Sequence, residues 1–214
     1  MDTVTLTASM EPNQSLFRVM KTEAEKVETI AHNVLVMLSN RIYVNRAGSK
    51  LPLLDLDSAR SQLEDKGDYT FTISTSNGDA YAFKIVFQRI TTIGKQSVIS
   101  EFFKEYAQHK RIIIAKDFNN KIADYVTKHH TQIFREASLL SNLIDYRDQP
   151  RFEVLSPIET EQFMSDYNTN EYTTKKMLRS DPVAKYYDLR KGQVVRIIRP
   201  SPTSGLAVDY RIVT

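Results

Sequence analysis

The sequence of 214 residues contains no cysteine. That absence removes disulfide frameworks, thiolate zinc sites, iron–sulfur clusters and thiol nucleophiles together, and it suits a reducing compartment. Glycine is scarce as well. The six glycines (Gly48, Gly67, Gly78, Gly94, Gly192 and Gly205) are too scattered to write a dinucleotide-binding fingerprint or a phosphate-cradling P-loop. Long apolar runs are missing: the longest, Val34 to Leu38, falls far short of the ~20 residues that span a bilayer. Met1 to Ser15 carries no basic stretch followed by an apolar run. These absences predict a soluble intracellular protein with no membrane contact. Charge of one sign is lacking too, since 29 basic against 26 acidic residues leave +3. That is too little for a surface that tracks phosphate throughout, although a local basic patch can hide under a balanced total.

What is present is the material of a globular protein. Hydrophobic residues make up 41% and charged residues 26% of the chain, enough for a buried core and for solubility, and incompatible with disorder or collagen-like repeats. The length lies between one large domain and two small ones. Proline decides where to divide it: none occurs between Pro52 and Pro150, whereas five of the seven (Pro150, Pro157, Pro182, Pro200 and Pro202) lie in the last 65 residues. We therefore expect an α+β protein of two modules, an α/β unit over residues 1–137 and a small mixed-sheet unit over 138–214.

In the first module Ser15 to Asn40 reads as a helix, with Leu16, Met20, Val27, Ile30, Val34, Met37 and Leu38 at three- and four-residue steps. After a Gly48–Pro52 turn, Asp57 or Ser58 is placed to cap a short helix ending at Leu63. Tyr69–Ser74 and Ala80–Arg89 alternate polar with aromatic or β-branched residues around Ser76-Asn77-Gly78-Asp79, a hairpin signal in which both Asn and Gly tolerate positive φ. A helix bearing Val98, Phe102, Phe103 and Tyr106 follows, and then a buried strand over Arg111–Ala115.

The second module is marked more sharply. Ser156-Pro157-Ile158-Glu159 combines a capping residue, a proline at the first helical position and a glutamate at the third. Asp181-Pro182 repeats the arrangement ahead of Val183, Tyr186 and Tyr187. Gln193–Arg199 and Leu206–Val213 are β-branched and aromatic and flank Pro200 to Gly205, which predicts a terminal antiparallel hairpin.

Catalytic patterns are hard to find. His129 and His130 are adjacent, so on a helix they point about 100° apart and cannot share a metal as an i, i+4 pair can. His32 and His109 read as surface or boundary residues. Asp55/Asp57 and Glu64/Asp65 lie in polar stretches where a solvated face accounts for them. We expect no active site and no cofactor. The basic residues tell more when counted locally: Lys175 to Thr214 holds nine lysines and arginines against three aspartates, +6 within a chain of +3. Arginine pairs bidentately with carboxylate or phosphate, so an acidic protein partner and nucleic acid both fit, as does a solvated basic face.

The run Asp181-Pro182-Val183 through Lys191-Gly192 and Arg196-Ile197-Ile198-Arg199, followed by Thr203-Ser204-Gly205 and Tyr210-Arg211, resembles the carboxy-terminal signature of the shared fifth subunit of eukaryotic nuclear RNA polymerases. In archaeal RNA polymerases the same module stands alone as a small separate polypeptide. The likeness extends more thinly through Phe134-Arg135-Glu136-Ala137 and Leu155-Ser156-Pro157. It implies a non-catalytic structural subunit of a DNA-directed RNA polymerase in transcription. Its tail would dock on the largest subunit, and its jaw-like first module would lie near downstream DNA. On that reading Asp181, Pro182, Tyr186, Arg196, Arg199 and Arg211 are interface candidates, and the nucleus is the expected compartment, or the cytoplasm or virion for a large DNA virus. Where the family carries a Thr-Pro-Ser-Ala turn this chain has Lys116-Asp117-Phe118-Asn119-Asn120-Lys121. There Lys116, Asn119, Asn120 and Lys121 either touch phosphate or form a polar turn capping a helix at Ile122–Val126. A free-standing nucleic-acid-binding transcription factor is the alternative function.

Overall fold

A computed structural model describes residues 21–45, 48–94, 96–146, 148–203 and 205–214. The first helix, α1 (Glu23–Asn40), begins where Thr22 and Glu25 form a reciprocal capping box. The expected start at Ser15, with Leu16 and Met20, lies outside the described residues. Next come β1 (Ile42–Val44) and β2 (Lys50–Pro52), an antiparallel pair where only a turn was expected. Helix α2 (Leu56–Gln62) is capped by Asp55, which accepts the Ser58 N–H, so neither Asp57 nor Ser58 is the cap.

Strands β3 (Glu64–Asp65), β4 (Thr70–Ser74), β5 (Ala80–Ile90), β6 (Lys110–Phe118) and β7 (Thr131–Arg135) form one sheet in that order. The first three are antiparallel, and β5, β6 and β7 run parallel. Parallel neighbours need crossovers. These are α3 (Val98–Glu105), capped by Ser97, and α4 (Asn120–Lys128), capped by Asn119. In the β4–β5 loop only Gly78 takes a positive φ, +87°, while Asn77 does not. The Thr75 N–H donates to the Asp79 carbonyl at 2.9 Å, leaving a three-residue loop that needs one left-handed residue at its end.

Alternation along the central strands splits the core in two. Phe83, Ile112, Ile114 and Phe134 face α1, α2 and α5 (Glu136–Leu140), whereas Ala82, Ile113, Ala115 and Ile133 face α3 and α4. The first module is thus a sheet sandwiched between two helical layers. Helix α5 crosses the expected boundary at 137/138.

After a 3-10 turn at Leu143–Asp145 come β8 (Arg151–Val154), α6 (Pro157–Asp166), β9 (Lys176–Met177), α7 (Pro182–Tyr186), β10 (Val194–Ser201) and β11 (Gly205–Val213). The second sheet is ordered β8-β10-β11-β9, with β9 parallel to β11. One face packs Val195, Ile197 and Val213 on α7, and the other packs Val194 and Ile212 on Phe163 of α6. Gly192 adopts φ +88° as the chain turns into β10. Among the described residues no helix is long and apolar enough to cross a membrane.

Candidate subunit interface

Helix α7 is short and fixed at both ends. The Asp181 carboxylate accepts the Val183 N–H at 2.8 Å, and Pro182 presets the first helical φ. Its last carbonyls meet a cation from the first module. Arg41, only 2% exposed, donates through Nε to the Tyr186 carbonyl (2.8 Å) and through Nη2 to the Lys185 carbonyl (3.3 Å) and Gln132 Oε1 (3.0 Å). A guanidinium on a helix C-terminus satisfies orphan carbonyls and the helix dipole together. Gln132 in turn donates to Asp188 at 2.6 Å. Tyr186, chosen from sequence as an interface residue, is 4% exposed and belongs to the core of the first module. Its hydroxyl accepts from Asn40 (3.0 Å) and donates to Asn142 (3.2 Å). Tyr186 therefore joins the modules instead of facing outward. Burial, followed by the neighbouring Tyr186, pushes the Tyr187 phenol up to about 12.

The three tail arginines fall on different faces. Arg196 stands opposite Glu153 in the β10–β8 register and pairs with its carboxylate through Nε (2.7 Å) and Nη2, so its charge is met within the chain. Its side chain still reaches solvent, at 41% exposure. Arg199 and Arg211 occupy the opposite face with Asp181, lining a recess of about 210 Å³ beside α7. Arg199 is exposed. The Arg211 Nε is buried without a hydrogen-bond partner among the described residues, and the Asp209 carboxylate stands 3.8 Å from it, beyond hydrogen-bond reach. Asp209 is itself drawn to Lys175 (2.7 Å). Burial works against its charge, but the lysine prevails and holds the carboxyl below its ordinary value.

The second candidate set lies at the β6–α4 junction. Lys116 is on the strand, because β6 continues to Phe118, and only Asn119 is turn. The Asn119 side chain accepts the Ile122 N–H at 2.9 Å, which makes it the helix cap, while Lys116, Asn120 and Lys121 are exposed. Parallel neighbours bring two arginines here that sequence patterns do not reveal. Arg89 of β5 and Arg135 of β7 flank Asp117 at 3.3 and 3.1 Å, and Arg135 also stacks over Phe118. Hydrogen bonding from Arg135, then from the Phe118 amide, holds the Asp117 carboxyl below its ordinary range. The histidine pair lies past the end of α4: His129 is its C-cap, packed against Tyr125 and Phe103, and His130 has φ +53°. No group of three or more metal-ligating side chains clusters among the described residues.

Residues 141–213, the whole tail with its recess and hairpin, match the family described as RNA polymerase Rpb5, C-terminal domain. DNA-directed RNA polymerase subunit 5 of Acanthamoeba polyphaga mimivirus is 48% identical over 204 residues, covering 95% of this chain and 100% of that protein. The chain belongs to the RNA polymerase subunit 5 family. Relatives from two cellular organisms share less identity. Subunit RPABC1 of RNA polymerases I, II and III from Caenorhabditis briggsae is 28% identical over 155 residues, 69% of this chain and 74% of that protein. The corresponding Dictyostelium discoideum subunit is 30% identical over 131 residues, 61% of this chain and 55% of that protein.

Proposed function

We propose that this subunit 5 homologue is a non-catalytic structural component of a multisubunit DNA-directed RNA polymerase. It docks on the largest subunit through the module at 138–214, and the jaw-like module at 1–137 borders downstream DNA. The observation that carries the reading is the likeness to a viral polymerase subunit along essentially the whole chain. The α7 recess supports it physically, because Asp181, Asp209, Arg199 and Arg211 gather there, and exposed Arg199, which forms no ion pair among the described residues, is left for an acidic group of a partner. Lys116, Asn120 and Lys121 supply a cationic, polar edge suited to phosphate contacts that position DNA without reading its bases. Its compartment is that of the enzyme it serves: the nucleus for a cellular polymerase, the cytoplasm or virion for a viral one.

Co-expression of the tagged full chain with the largest polymerase subunit from the same source tests the docking. A stable complex surviving gel filtration is the expected result. Failure to co-purify would remove the reading. The jaw contact is tested separately, by comparing duplex affinity of the assembled polymerase with and without Lys116→Glu and Lys121→Glu. Each lost phosphate contact should reduce the salt slope by roughly 0.9, and an unchanged slope would leave the jaw away from DNA.

A further inference from the structure

The second sheet ends in an asymmetric way. β11 runs from Gly205 to Val213, yet β9 pairs only with Ile212 and Val213. The Ile212 N–H points outward, donating to the Lys175 carbonyl at 2.8 Å. In an antiparallel strand, residues two apart share that direction, so Val208 also turns its main-chain N–H and C=O away from β10. Nothing among the described residues pairs with them. The opposite edge is closed differently: β8 covers β10 from Val195 to Ile198, and beyond it Pro200 has no N–H to offer. Exposed strand edges are normally shortened, charged or covered. Here the open stretch instead carries an exposed valine, Val208 at 51%, beside exposed Leu206.

The two faces beside this edge differ. Val208 stands opposite Ile198, and Leu206 opposite Pro200, so the end of the hairpin is apolar on the α6 side. The other face carries Arg199, for which no ion pair is formed among the described residues, and Arg211, whose Nε makes no hydrogen bond and has the Asp209 carboxylate 3.8 Å away. Side chains of an extended strand alternate between faces, so one such segment meets both at once, which a helix laid on either face cannot do. Building on the docking reading above, we propose that the outer edge of β11 at Val208 accepts an extended segment of the partner polypeptide as an added strand. Its apolar side chains lie over Val208, and a carboxylate lies against Arg199.

The test uses the full chain bound to the largest polymerase subunit. Val208→Pro removes the outward N–H while sparing the β10 ladder, and should weaken binding at least tenfold. Val208→Thr, which keeps that N–H and the branched shape, should stay within about threefold. Arg199→Glu should weaken binding and be rescued by reversing the facing acidic residue of the partner. Hydrogen exchange provides the readout that does not depend on any variant: the Val208 amide should become strongly protected in the complex. A complex that forms with the Val208 amide still exchanging freely, or with Val208→Pro binding like the parent, overturns the added strand and leaves the docking reading standing. If the parent chain forms no complex, both fall. Should Val208→Pro misfold by circular dichroism, the exchange measurement alone decides.

Discussion

Arg41 carries a charge at 2% exposure without an ion pair among the described residues, so its hydration is replaced by two carbonyls, an amide oxygen and the Met37 sulfur. Replacing it with alanine strands two α7 carbonyls and Gln132. We expect a loss of about 3 kcal/mol, given about 1.5–3 kcal/mol for a hydrogen bond to a charged group. Arg41→Lys should recover only part, because an ammonium has no fork to span separate acceptors. Urea unfolding of the full chain measures both, and a loss below about 0.5 kcal/mol, on the order of a neutral surface change, would refute the assignment. Lys84 is a second buried cation. Its ammonium reaches the Asp68 carbonyl (3.0 Å), the Asp68 carboxylate (2.6 Å) and Thr70 Oγ1 (2.9 Å). These contacts pin Gly67, Asp68 and Tyr69, three consecutive residues with positive φ. Lys84→Met should cost about 1–2 kcal/mol and loosen that turn, seen as faster exchange of the Thr70 amide.

At the scale of elements the helix starts act independently. Ser156→Ala removes one half of a reciprocal cap and Asp181→Ala a single one, so each should cost about 1 kcal/mol of stability by thermal unfolding. Glu159, the other half of the Ser156 box, is disfavoured in its charged form by burial. Lys50 and the Ser156 amide and hydroxyl outweigh this and hold its carboxyl below 4.5. Because the folded-state value is depressed, this contribution is complete above 4.5 and is lost as pH falls below it through the folded value; Glu159→Gln should flatten that part of the acid curve. The alkaline side has the opposite origin. Tyr187 keeps its proton up to about 12 in the fold but only to about 10 when unfolded, so stability declines as pH rises between those values. Tyr187→Phe should remove that decline, and an unchanged curve would contradict its burial. These caps were legible in the sequence because residue type and three-residue spacing suffice to specify them. Strands of two to four residues, such as β1, β8 and β9, carry too few alternations to read. Arg196 could not be matched to Glu153, 43 positions away, since register across a sheet is set by the whole fold. The same holds for Arg89 and Arg135 around Asp117: each is an unremarkable surface arginine until parallel pairing aligns β5, β6 and β7.

For the molecule as a whole, the division suggested by proline usage is crossed by the packing. Leu139 and Tyr186 share a core with Ile30, Leu35 and Phe83, and Lys26 pairs with Glu136 at 2.7 Å. We expect calorimetry to give one cooperative transition for the full chain, and two resolved transitions would show that the modules unfold separately. The network around Arg41 also bears on synthesis. A ribosome releases Arg41 and Gln132 well before Lys185, Tyr186 and Asp188, so during translation the first module holds an arginine whose two carbonyl acceptors do not yet exist. We expect final closure of the first module to await the emergence of α7, so that the nascent chain depends on its own last helix before any partner arrives.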